Sequence, residues 1–221
     1  MKKIVFSFLL SLILMTQVLA ENYMPKFSNS IKYFGEGAFY APKTLKIYQK
    51  PDENSQVVET INMEDNELKS EYAGILKASE STLAFLPDKN IILFAVVEDC
   101  KDWSKIVYNQ TNGDSGWVKI SENAKYYDWK DLFNKYGRKN GMYLWSNTPK
   151  ENQVLRTEPD INSQPNNEFI YPQIINLKLL RGNWMLIEII DIDNIPKVGW
   201  FQWRTSEGNL LLFPKLTKPS I

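Results

Sequence analysis

The chain has 221 residues, 26 basic and 26 acidic side chains, and no histidine. A balanced charge with no long run of one sign lacks the basic footprint of a nucleic-acid binder. Without an imidazole, Ser-His-Asp and Cys-His catalysis, His-ligated zinc and a histidine general base are all excluded.

Lys2 and Lys3 precede an apolar run from Ile4 to Met15, and Val18 and Ala20 are small residues three before and one before a cut. This pattern predicts a secretory signal peptide over 1–20. The run is short for a membrane anchor, which needs about 20 apolar residues. No cysteine lies near the cut, which argues against a lipoprotein. Removing 1–20 takes away two lysines and no acids, leaving a net charge of −2. No membrane insertion is expected after cleavage, because the longest later apolar run, Ile91 to Val97, suits a buried strand. Cys100 is the single cysteine, so no intrachain disulfide can form. Beside Asp99 and Asp102 its thiol lacks activating cations and reads as a bystander; the alternative is an intermolecular disulfide.

In chain order, 21–40 reads as an extended lead-in. Leu45 to Tyr48 is a strand, 50–55 a turn cluster, and Val57 to Ile61 a strand. Residues 62–81 are acidic and ambiguous: Leu68, Tyr72, Ile75 and Leu76 have helical spacing, but Gly74 weakens it. The segment reads as an insertion. Thr82 to Leu86 and Ile91 to Val97 are apolar strands. A strand opening on Trp103, a polar turn and a strand from Gly116-Trp117 follow. Over 128–137 the spacing predicts a helix, with Asp128 as cap, Trp129, Leu132, Phe133 and Tyr136 on one face, and Gly137 at the C-terminus. Val154 to Asp160 repeats the strand-Pro-Asp pattern seen at 46–52. Residues 184–190 alternate, with Trp184, Leu186, Glu188 and Ile190 on one face and Met185, Ile187 and Ile189 on the other. A turn over 191–196 leads to a strand from Val198 to Trp203, in which Gly199 signals a close approach.

Trp103 precedes Trp117 by 14 positions and Trp184 precedes Trp200 by 16, each pair enclosing a strand, a polar turn and a Gly-Trp. Two copies of one short-strand pattern predict tandem small barrels. At these residues the chain resembles bacterial SH3-like (SH3b) domains. They carry a first strand with a Pro-containing turn, here Ile47-Tyr48-Gln49-Lys50-Pro51. A "Trp-x-x-Val" strand follows, here from Trp103 with Ile106 in the Val place, and then a closing Gly-Trp-Val, here Gly116-Trp117-Val118. The second copy departs from this, with Gly199-Trp200-Phe201. The resemblance implies small β-barrels that bind cell-wall peptides or protein partners, and implies no catalytic residue.

The expected architecture is all-β: two small SH3-like barrels, at 41–122 with the insertion near 62–81 and at 149–216, joined by a helical connector at 123–148, with a tail at 217–221. Candidate ligand-binding residues are Tyr48, Trp103, Trp184, Trp203 and Arg204. The aromatics can stack on a sugar or peptide, and Arg204 can pair with a carboxylate. Trp117 and Trp200 read as core or packing residues. Gly113-Asp114-Ser115-Gly116 imitates a nucleophile loop but has no histidine to act as base, so it reads as a turn. Asp191-Ile192-Asp193 lacks the remaining calcium ligands and reads as a solvated turn. Glu188 is the acid that a carboxylate-only hydrolase would use. No cofactor and no metal are expected. The expected function is non-enzymatic binding of peptidoglycan or an envelope component by a periplasmic or secreted protein. The alternative is a protein scaffold or an inhibitor of an envelope enzyme.

Overall fold

The structure, a computed structural model, describes residues 31–145, 148–168, 174–192 and 194–217. The proposed signal peptide, the first part of the lead-in and Asp193 lie outside the described residues. The fold is all-β, as expected. The described chain divides into two compact units, 31–132 and 133–217.

In the first unit the strands are β1 (Gly37–Tyr40), β2 (Thr44–Tyr48), β3 (Val57–Glu64), β4 (Glu67–Ser70), β5 (Gly74–Leu76), β6 (Ala84–Leu86), β7 (Ile91–Cys100), β8 (Trp103–Val107), β9 (Ser115–Lys119) and β10 (Lys125–Asp128). They form one antiparallel sheet in the order β10-β1-β7-β8-β9-β2-β3-β4-β5, with β6 also on β7. The path is open, not a closed barrel. Alternation explains the strands: Leu45 and Ile47 are buried while Lys46 is exposed, and Ile106 and Val118 are fully buried. Their core also holds Phe39, Leu68 and Phe94.

One expectation changes here, and one ambiguity resolves. The lead-in contributes an inner strand: β1 lies between β7 and β10, with Phe39 0% exposed. Residues 62–81, ambiguous in the sequence, are largely a meander closed by a short helical turn at Ala78–Ser81. Asp65 and Asn66 have φ of 51° and 63°, the left-handed pair that a two-residue hairpin needs, and they join β3 to β4.

The second unit has β11 (Met142–Leu144), β12 (Val154–Arg156), β13 (Pro165–Glu168), β14 (Ile174–Arg181), β15 (Trp184–Ile190), β16 (Pro196–Gln202) and β17 (Leu212–Pro214). Five of them form an open antiparallel sheet, β13-β12-β16-β15-β14, and β11 pairs with β17. Met185, Ile187, Ile189 and Phe201 are all 0% exposed, so the predicted inner face of β15 is the core face.

The helix begins as predicted, the Asp128 carboxylate accepting the Asp131 N–H at 2.7 Å. It does not end at Gly137. An α-turn at Trp129–Leu132 passes into a π-turn at Phe133–Gly137 and a last turn at Arg138–Asn140. The C-terminal residue with positive φ is Gly141, at 86°. Gly137 serves packing, since a Cβ there would lie 2.5 Å from the Met142 sulfur.

The two units repeat one five-strand path, register by register. β7-β8-β9-β2-β3 in the first corresponds to β14-β15-β16-β12-β13 in the second. Tyr48 pairs with Trp117, and Arg156 with Trp200. Trp103 lies opposite Lys119, and Trp184 opposite Gln202. Each unit has a register shift at Ile47/Tyr48 or Leu155/Arg156, and another at Val96/Glu98 or Leu177/Leu179. Gly116 and Gly199 also share one reason: a Cβ would meet Ile47 Cγ2 at 2.5 Å in the first case and Leu155 Cβ at 2.7 Å in the second.

The loop after the first strand repeats as well. Pro51-Asp52-Glu53-Asn54-Ser55 and Pro159-Asp160-Ile161-Asn162-Ser163 differ at one position of five. Asp52 accepts the Asn54 N–H at 2.9 Å, and Asp160 accepts the Asn162 N–H at 2.8 Å. Ser55 Oγ accepts the Lys50 N–H, and Ser163 Oγ the Glu158 N–H. The first unit adds β4, β5 and β6 between β3 and β7, where the second has five residues between β13 and β14.

Candidate functional site

Strand parity brings chosen side chains onto the outer face of each sheet. In the first unit Tyr48, Trp103, Trp117, Lys105 and Lys119 share that face, since opposite residues in a ladder point the same way. Tyr48 and Trp103 make an edge-to-face pair with ring centroids 5.5 Å apart. Such pairs contribute about 0.5–1.5 kcal/mol beyond area burial. The Lys119 ammonium sits 2.7 Å from the Glu53 carboxylate. That hydrogen bond, outweighing desolvation, holds the Lys119 pKa above its ordinary value.

The second unit has Arg156, Trp184, Trp200 and Gln202 at the equivalent positions. Here a shallow cleft open to solvent is lined by Glu151, Asn152, Arg156, Ile161, Trp184 and Gln202 among others. Ile161 stands where the first unit has Glu53, and Gln202 where it has Lys119, so the ion pair of the first unit has no counterpart here. Arg156 is held on the repeated loop by an Nη1–H donated to the Ser163 carbonyl at 2.6 Å. Among the described residues neither Arg156 nor Glu151 is in an ion pair.

Tryptophans divide by the use of their indole N–H. Trp129 donates to the Gly35 carbonyl and Trp203 to the Gly182 carbonyl, each at 3.0 Å. Trp103, Trp117, Trp184 and Trp200 are half-buried, and their indoles donate to no described residue. A half-buried indole with a free donor offers both an apolar plate and a hydrogen bond.

Tyr48, Trp103 and Trp184 therefore lie on outer faces. Trp203 does not. It is 3% exposed and packs edge-to-face on Phe133 at 4.9 Å, so it is a core residue. Arg204 is half-buried over its own turn, its Nε–H donated to the Gly208 carbonyl at 3.2 Å. Trp117 and Trp200, read as core or packing residues, are half-buried on the outer faces. Arg156 was missed; its signal was its alignment with Tyr48, both three residues before Pro-Asp.

The other candidates resolve locally. Gly113, at φ 83°, and Asp114 form the turn between β8 and β9, where Asp114 accepts from the Asn112 amide at 2.8 Å. Asp191 is not solvated: it is 3% exposed, with Lys197 Nζ 2.8 Å from Oδ2. Glu188 accepts from the Asn176 amide at 3.1 Å and pairs with Lys178 at 3.2 Å. The Asn176 hydrogen bond, then Lys178, pull its pKa down. A general acid needs the opposite shift. Cys100 is an exposed free thiol. Among the described residues no cluster of three metal-ligating side chains occurs, and no helix is long and apolar enough to cross a membrane.

No family model matches the chain, and no curated protein matches it significantly.

Proposed function

We propose that the chain is an exported, non-enzymatic binding protein of the SH3-like kind that holds peptidoglycan or another envelope component on the outer faces of its two repeated sheets. One observation carries the reading. The same register positions in both units present half-buried tryptophans with unused indole N–H groups, whereas Trp129 and Trp203 are tied down. Stacking on such plates suits a sugar face or an extended peptide.

A protein partner is the second reading. Leu179 and Val198, 48% and 46% exposed, lie on the outer face of the second sheet beside Leu186 and Trp200, and Ile174, 44% exposed, lies farther along that face opposite Ile190. Exposed apolar area of this kind suits a protein surface.

Sedimentation with purified, protein-free peptidoglycan separates the two. Wall binding predicts that the chain co-sediments and that folded Trp103→Ala or Trp184→Ala variants lose it. A parent chain that stays in the supernatant contradicts wall binding and leaves the protein-partner reading.

A further inference from the structure

The two repeats differ most where their faces should be most alike. In the first unit the site is occupied by its own side chains: Tyr48 packs on Trp103, and Glu53 pairs with Lys119. In the second the equivalent space is a shallow, open cleft whose lining includes Arg156, Glu151 and Trp184. Arg156 is aimed by its bond to Ser163 O, which leaves further N–H donors of its fork uncommitted. Glu151, on the turn Lys150–Asn152, is exposed. These opposite charges line one cleft without forming an ion pair with each other. The side-chain amides of Asn152 and Gln202 bond to no described residue and can serve either end of a ligand.

We infer that this cleft is a subsite for a zwitterion: a ligand carrying a carboxylate and an ammonium group joined by an aliphatic segment. Arg156 takes the carboxylate in two-point fashion, Glu151 takes the ammonium, and Trp184 covers the aliphatic segment. Lysine at position 156 would supply the charge without the planar fork. The inference deepens the binding reading above and rests on it, since it names the chemistry of the peptide portion that the second unit would hold.

Titration calorimetry on the full chain, purified as the cell processes it, tests this with three probes. meso-Diaminopimelate carries both groups, pimelate only the carboxylates, and cadaverine only the ammoniums. A charge-assisted hydrogen bond contributes roughly 1.5–3 kcal/mol, about a tenfold or larger change in affinity. The expected result is that meso-diaminopimelate binds at least about tenfold tighter than either single-function probe. Arg156→Gln should weaken meso-diaminopimelate and pimelate together. Glu151→Gln should weaken meso-diaminopimelate and spare pimelate, a split that a merely misfolded variant would not give. Equal binding of the three probes, no binding of meso-diaminopimelate, or binding indifferent to Arg156→Gln would overturn the inference. If the parent still sediments with peptidoglycan while meso-diaminopimelate does not bind, the subsite fails and wall binding stands. If meso-diaminopimelate binds with the expected variant pattern and the parent does not sediment, the subsite stands and its occupant is a soluble zwitterion.

Discussion

The two sheets share their strand path, both register shifts, the glycine before the second tryptophan and the loop hydrogen bonds, yet they present opposite outer faces. The first face is filled and charged: Tyr48 on Trp103, Glu53 on Lys119, with Glu98 opposite Lys105. The second is open, with apolar side chains where the first has charges: Leu179 stands where Glu98 does and Leu186 where Lys105 does, while Arg156 stands where Tyr48 does and Glu188 pairs with Lys178 farther along. The core side of the strand path is thus kept, and the divergence is on the side where change costs little stability. Surface substitutions usually stay within about 0.5 kcal/mol, whereas core changes cost several.

The sharpest break in this comparison is between tryptophans on opposite sides of one sheet. Trp203→Ala should cost about 3–5 kcal/mol in denaturant unfolding, because it empties a core site and removes the Phe133 contact. Trp184→Ala should leave a cooperatively folded unit and act on binding. Next are the paired glycines. Gly116→Ala and Gly199→Ala should each cost about 1–3 kcal/mol by overpacking the first strand. Gly199 should be the worse, because its Cβ would strike a Cβ rather than the end of a side chain. A smaller, stabilising effect is expected at the equivalent hairpins. Lys101 has φ 53° where the second unit has Gly182 at 56°. Lys101→Gly should raise stability by about 1 kcal/mol, read as a higher Tm, by relieving the left-handed penalty.

The smallest effect concerns pH. Glu188 has a folded pKa below its unfolded one, so its stabilising contribution is present above the unfolded value and lost as pH falls through the folded value. An acid titration of stability should therefore flatten slightly in Glu188→Gln, and a catalytic acid with a raised pKa would give the opposite sign.

Much of this was legible in the sequence. The Trp-to-Gly-Trp spacing marked both sheets, and period two in 184–190 gave the correct inner face. Period two would also have put Trp203 on the same face as Phe201, two positions before it. The meander at 62–81 was obscured because Leu68, Ile75 and Leu76 match a helical period by chance, while the Asp65-Asn66 turn carries no glycine. The cleft was not legible. It arises from Ile161 and Gln202 replacing an ion pair, and only three-dimensional register sets those positions beside Arg156.

The most direct test is an indole N–H NMR spectrum of the ¹⁵N-labelled chain, its seven tryptophans assigned by single substitution, titrated with soluble muropeptides. The account predicts that Trp184 and Trp200 move first, Trp103 and Trp117 next if the first face also binds, while Trp129 and Trp203 stay in place. Shifts confined to Trp129 and Trp203, or no shift among the four outer indoles, would contradict it.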